Sequence, residues 1–279
     1  MTAPQPLRAD VPDAASIGDY GLIGDMRTAA LVDRWGRMDW LCWPRFDSPP
    51  LPRRLIDPDA GGSWQVAPAV PFAASRRYLP DTNVLETTFS CRDGTAIATE
   101  FMAVPREDRS GSLLVRMVEG RSGVVPIHMS LRASSGFREG SPPLGVRDGV
   151  LLIGGTRGTA AAITATEPVS VKQDEATLDA VLGQGQRMVI VLTSAPVAEV
   201  ATQALTARDT TARRWRDWIG RCNLPGIKRD VVVRSALALK LLHHQPTSAL
   251  VAAPTTSLPE RIGGPATGTT ATPGCETAA

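Results

Sequence analysis

From about Ser16 to Pro196 the chain alternates short apolar runs with turn residues, the texture of β-strands. Thr28 to Val32 and Met38 to Trp43 flank Asp33-Arg34-Trp35-Gly36-Arg37, which reads as a hairpin. Val84 to Cys91 and Thr95 to Val104 flank Arg92-Asp93-Gly94, where the Asp-Gly pair supplies the positive φ of a tight turn. Leu113 to Glu119 and Val124 to Ala133 flank Gly120 to Gly123, the next turn. Val146 to Ile153, Ala160 to Thr166, Ala176 to Leu182 and Met188 to Thr193 continue the pattern. Many short antiparallel strands with regular turns predict a mainly β chain, with an antiparallel β-sandwich over residues 16–196. No internal repeat is visible.

Near Val197 the pattern changes. Val197 to Cys222 carries an amphipathic helical period through Leu205, Trp215, Trp218 and Ile219, and Asn223-Leu224-Pro225-Gly226 ends it. A second helix is expected over Lys228 to His244, with Val232, Val233, Ala236, Leu237, Leu239 and Leu241 apolar on more than one face. Such a helix requires neighbours on several sides. Gly263 to Ala279 has no apolar period and is rich in Gly, Thr, Ala and Pro, the composition of a disordered tail.

Composition narrows the classes. Of the 279 residues 43% are hydrophobic and 21% charged, as in ordinary soluble globular proteins. The formal net charge is +2, so no strong field points to nucleic acid or an anionic membrane. Residues 1–15 are polar and expected to be disordered. The N-terminus lacks the basic and apolar regions of a signal peptide, and no apolar run reaches spanning length, which together imply a cytoplasmic protein. The four cysteines and three histidines show no metal-ligand spacing, so no metal and no cofactor are expected.

Five segments resemble family-15 glycoside hydrolases, the glucoamylase, glucodextranase and trehalase group. They are Ile17 to Asp25 with Thr28 to Val32; Asp39 to Pro49; Arg77 to Leu85; Arg234 to Lys240; and Ala252 to Glu260 followed by Gly263-Gly264. Any one is weak, whereas five in order are specific. The resemblance implies a β-sandwich, a helical linker over residues 197–226, and a catalytic (α/α) barrel of six helix pairs. Residues 227–264 would hold its first helix, with the rest of the barrel missing. It implies hydrolysis with inversion by two carboxylic acids, one protonating the leaving oxygen and one activating water. In the family both glutamates lie later in the barrel, so no residue here is assigned a catalytic role.

In the family the Gly-Gly step leads to Arg-Asn-Trp-Asp-Tyr-Arg-Tyr and then Trp-Leu-Arg-Asp. Here Pro265-Ala266-Thr267-Gly268-Thr269-Thr270-Ala271-Thr272-Pro273-Gly274-Cys275-Glu276-Thr277 follows instead. Codons for this stretch, regrouped from the third base of the Pro265 codon, can read Arg-Asn-Trp-Asp-Tyr-Arg-Tyr-Thr-Trp-Leu-Arg-Asp. The first two bases of each codon are fixed by the residues present, so such a match is hard to reach by chance. A one-base deletion near the Pro265 and Ala266 codons is the expectation.

The substrate-binding candidates are Trp43, Arg45, Phe46, Asp47 and Glu260. Arg45 and Asp47 can hydrogen-bond hydroxyls, and an aromatic ring offers a flat face to a pyranose. The plain alternative is an Arg–Asp pair that pins a domain interface. Glu260 is more simply a loop carboxylate fixing the barrel mouth. Asp19, Tyr20 and Asp25 sit among glycines without phosphate-loop spacing and suit turn chemistry or a substrate rim. No nucleophile elbow surrounds Ser257. Trp215 and Trp218 are spaced for core packing, and His243-His244 for interaction with a helix dipole.

The resulting expectation is the N-terminal part of an inverting α-glucoside hydrolase, inactive alone. Its full-length substrate would be an α-glucan, an isomaltooligosaccharide or trehalose, and a separately encoded barrel could be its partner. A non-catalytic carbohydrate-binding or interaction sandwich is the alternative.

Overall fold

A computed structural model describes residues 15–104, 111–136, 140–155 and 158–255. Two antiparallel sheets face each other. One runs, in spatial order, β5 (Phe72–Tyr78), β6 (Leu85–Cys91), β7 (Gly94–Met102), the first part of β8 (Leu114–Arg132), β14 (Arg187–Thr193), β11 (Gly158–Ala165), β10 (Val150–Gly155) and β9 (Leu144–Arg147). The other runs β1 (Tyr20–Gly24), β2 (Ala29–Asp33), β3 (Arg37–Leu41), β4 (Ser63–Pro68), the second part of β8, β13 (Glu175–Gly183) and β12 (Ser170–Lys172). The chain is mainly β, as its alternation predicts, and β2 and β3 form the hairpin expected around Asp33 to Arg37.

Gly120 to Gly123 is not a hairpin turn. β8 passes through it as one 19-residue strand that pairs with β7 and β14 before the glycines and with β4 and β13 after them. The glycines serve close passage at the crossing between sheets. A Cβ on Gly123, at φ +60°, would lie 1.9 Å from the Asp93 carbonyl oxygen, and one on Gly120 would lie 2.2 Å from that of Gly183. Val146 to Ile153 also differs from a single strand. Asp148 and Gly149 both take positive φ, 51° and 76°, and fold it into the β9–β10 hairpin.

The two parts of β8 show how burial follows position. Val125, Ile127, Met129 and Leu131 point into the sandwich, while Pro126, His128, Ser130 and Arg132 face outward. Leu114 to Val118 is buried on both faces, because α1 (Val200–Gly220) covers the outer side of this sheet. Val115, Met117, Val189 and Val191 meet Ala204 and Ala212 there. Inside the sandwich, Arg116 spans both sheets. It donates to Glu100 Oε1 at 2.7 Å, to the Trp64 carbonyl at 2.6 Å and to the Gly36 carbonyl at 2.6 Å. Its charge is paired and its donors are used, which makes such deep burial tolerable.

α2 (Arg229–Leu241) packs beside α1 on a second, smaller core. Trp215, Ile219, Val233, Leu237 and Leu241 are buried there with Met26, Ala29, Phe46 and Val251. Trp215 is therefore a packing residue, as its helical spacing suggests. The chain then forms a short hairpin, β15 (His243–His244) with β16 (Ala249–Leu250). No described helix is long and apolar enough to cross a membrane.

Candidate functional site

Three segments meet where the sandwich contacts the small helical core: the Gly24–Thr28 turn, the Cys42–Ser48 loop and the β15–β16 hairpin. Asp25 organises the turn. Its Oδ1 accepts the backbone N–H groups of Arg27 and Thr28, each at 2.9 Å, and Met26 takes a left-handed φ of 66°. Asp25 is fully buried, and burial pushes its carboxyl above the usual range. Its role is turn chemistry. The Thr28 hydroxyl donates to the Cys42 carbonyl, which ties turn to loop. The Phe46 N–H donates to the Arg27 carbonyl at 2.8 Å, and the Gln245 N–H to the Met26 carbonyl at 2.9 Å.

Within the loop the five successive residues separate by environment. Trp43 precedes a cis peptide bond to Pro44 and is 5% exposed within the sandwich core. Phe46 is 4% exposed and belongs to the helical core. In this arrangement neither ring offers a face to a ligand. Arg45 and Asp47 lie on the surface, their side chains 62% and 42% exposed, in a bidentate pair of 2.8 and 2.6 Å. The Arg45 guanidinium holds the Asp47 carboxyl below its usual range. Glu260 and Ser257 lie outside the described residues.

His244 joins this rim, and the sequence pattern misplaces it. The expected helix to His244 ends at Leu241, so His243 and His244 pair in β15 instead of lying in the final helical turn. The available signal was Gln245-Pro246-Thr247-Ser248, a turn in which Ser248 takes φ 59°. The His244 ring stands edge-on to Phe46, 6.2 Å between centroids at 74°, and its Nδ1 lies 2.8 Å from Thr247 Oγ1. Burial draws the imidazole below its ordinary pKa; Asp47 opposes this, while Arg45, Arg27 and His243 reinforce it.

A second constellation fixes α2 to the sandwich. Arg234 lies over the Tyr78 ring at 3.9 Å and donates to the Thr82 carbonyl at 3.0 Å and to Asn83 Oδ1. Asn83 returns a bond from Nδ2 to the Leu237 carbonyl at 3.1 Å. The Tyr78 hydroxyl accepts from Leu22 N–H at 2.8 Å and donates to the Leu22 carbonyl at 3.0 Å. Further along, the Trp40 indole donates to the Pro254 carbonyl at 2.9 Å. Segments far apart in sequence, around Leu22, Trp40, Tyr78, Arg234 and Pro254, are thus joined through side chains.

Grooves of about 480, 390 and 310 Å³ run along α1 and around Leu79 to Thr82, and none of their lining residues belongs to the rim. Among the described residues no three His, Cys, Asp or Glu side chains gather as metal ligands.

Residues 11–207 match the family described as trehalase-like, N-terminal. A trehalase of Mycolicibacterium smegmatis is 30% identical over 293 residues, covering 93% of this chain and 43% of that protein. A trehalase of Mycobacterium tuberculosis is 29% identical, covering 93% and 42%. A trehalase of Thermoplasma volcanium is 30% identical, covering 88% and 40%. The chain thus spans about two fifths of the length of these curated relatives.

Proposed function

This chain belongs to the trehalase-like N-terminal family, and we propose that it is the β-sandwich and first helical portion of an α-glucoside hydrolase. The observation that carries the reading is the one-sided burial of α2. Val233, Leu237 and Leu241 are buried against the sandwich side, whereas Val231 is 64% and Leu239 56% exposed. A helix apolar on two faces and covered on one suits the first layer of a larger helical assembly. In the family-15 reading this assembly is the (α/α) barrel, and trehalose, the substrate named for the relatives, is the leading candidate.

The chemistry follows from that reading. An inverting hydrolase uses one carboxylic acid to protonate the leaving glycosidic oxygen and one carboxylate to activate water on the opposite face. Asp47 is committed to Arg45 and Asp25 to its turn, so neither suits these roles. We assign both acids to polypeptide beyond the 279 residues, and give the present chain the tasks of seating the barrel and furnishing part of its rim. On this account the chain alone releases no glucose. Pro265 to Thr277 is then an out-of-frame stretch.

Sequencing the genomic DNA from the Leu258 codon onward tests this. We expect one additional base near the Pro265 codon to open a frame encoding Arg-Asn-Trp-Asp-Tyr-Arg-Tyr and a helical domain. A codon set that cannot be regrouped in this way would overturn it.

A further inference from the structure

We propose that His244 is a hydroxyl-binding residue, forming with Arg45 and Asp47 a subsite for one glucosyl ring. The inference rests on the α-glucoside reading above and names a residue of that site.

Phe46 sits between Arg45 and Asp47 in the chain and turns inward, so its neighbours stay at the surface while its ring braces the imidazole edge-on at 6.2 Å. His244 is partly exposed, and Thr247 engages its Nδ1 at 2.8 Å. Nε2 is the nitrogen left for an outside group. A neutral imidazole offers one donor and one acceptor, and a pyranose hydroxyl is both. The neighbouring Arg–Asp pair sets donors and acceptors side by side, which matches two adjacent hydroxyls.

The electrostatics suit a neutral ligand. The charged and titratable groups facing His244 are Asp47, Arg45, Arg27 and His243; burial favours the neutral imidazole, Asp47 opposes this, and Arg45, Arg27 and His243 reinforce it. Hydrogen bonding in this region is also incomplete. Arg27 Nε, His243 Nδ1 and Gln245 Oε1 are buried without a partner among the described residues, and all three lie on the turn and hairpin beside the rim. Native proteins leave few such groups unmet, so three of them on adjoining segments leave polar capacity beside the rim.

The test is proton NMR of the histidine Cε1–H signals of the 279-residue chain during titration with trehalose. His244→Gln assigns the resonance, and His128, on the outward face of β8, is the internal control. We expect a saturable shift of the His244 signal with a midpoint on the order of 10 mM, weakened roughly tenfold in Asp47→Asn. Thermal midpoints of both variants report whether they fold. A His244 signal that stays fixed up to roughly 100 mM trehalose overturns the subsite, as does a titration unchanged by Asp47→Asn in a folded variant. The α-glucoside reading fails separately, through absence of glucose release from the frame-restored protein.

Discussion

The guanidinium carbon of Arg234 lies 3.9 Å from the centre of the Tyr78 ring, and the same side chain bonds the Thr82 carbonyl and the Asn83 amide oxygen. This one residue on α2 therefore reads the whole Tyr78 to Asn83 stretch. Burial draws its pKa down, and Tyr78 partly offsets that.

Arg234→Ala should loosen α2 from the sandwich. The lost stacking and charge-assisted bonds together are worth about 2–3 kcal/mol. Arg234→Lys should recover less than half, because an ammonium cannot stack and bond two acceptors in one plane. Urea unfolding followed by tryptophan fluorescence checks this. Equal midpoints for Ala and Lys would contradict the stacking account.

Phe46→Ala should cost about 3–5 kcal/mol, since the ring is buried between α1, α2 and the Gly24–Thr28 turn. Arg45→Ala, on the exposed neighbour, should cost less than about 1 kcal/mol. Thermal midpoints compare the two. Similar losses would show that the loop is not divided into a buried ring and an exposed pair.

Asp33 supplies a pH dependence. Burial raises its carboxyl to about 6, opposed by the backbone N–H and charge of Arg37 and assisted by the charge of Asp39. A folded pKa above the unfolded value means the native state holds the proton more tightly. The contribution is fully present below the ordinary carboxyl pKa and is lost as pH rises through about 6. Asp33→Asn keeps an oxygen for the Trp35 and Arg37 N–H groups and removes the titration. The variant should show a flatter fall in stability between pH 4 and 6, approximately the window between the two pKa values. Coincident wild-type and variant curves would contradict this.

Arg116→Met should be severe, about 3–5 kcal/mol, because it strands the Glu100 carboxylate in the sandwich interior. Adding Glu100→Gln should recover part of the loss by removing the unpaired charge. A double variant no better than the single, measured by urea unfolding, would sink this account.

Strand alternation made the sandwich legible, as in Val125, Ile127, Met129 and Leu131, and helical spacing revealed Trp215 as a core residue. Less could be read where one residue type serves two purposes. Gly120 and Gly123 look like a turn because glycine permits both a turn and a close crossing, and only the position of Asp93 and Gly183 decides between them. The same limit applied to the rim. An aromatic beside an arginine can stack on a sugar or fill a core; Trp43 fills the sandwich core, and the inward turn of Phe46 depends on helices more than 150 residues away. His244 was hidden because an apolar helical period runs directly into it.

A non-catalytic front of an α-glucoside hydrolase, as proposed for these residues, differs from a complete enzyme in what it releases from trehalose. The most direct measurement is glucose released from trehalose by the 279-residue chain and by protein expressed after restoring one base at the Pro265 codon. No release is expected from the first and enzymatic turnover from the second. Turnover by the 279-residue chain alone, or none by the restored protein, would contradict the proposal.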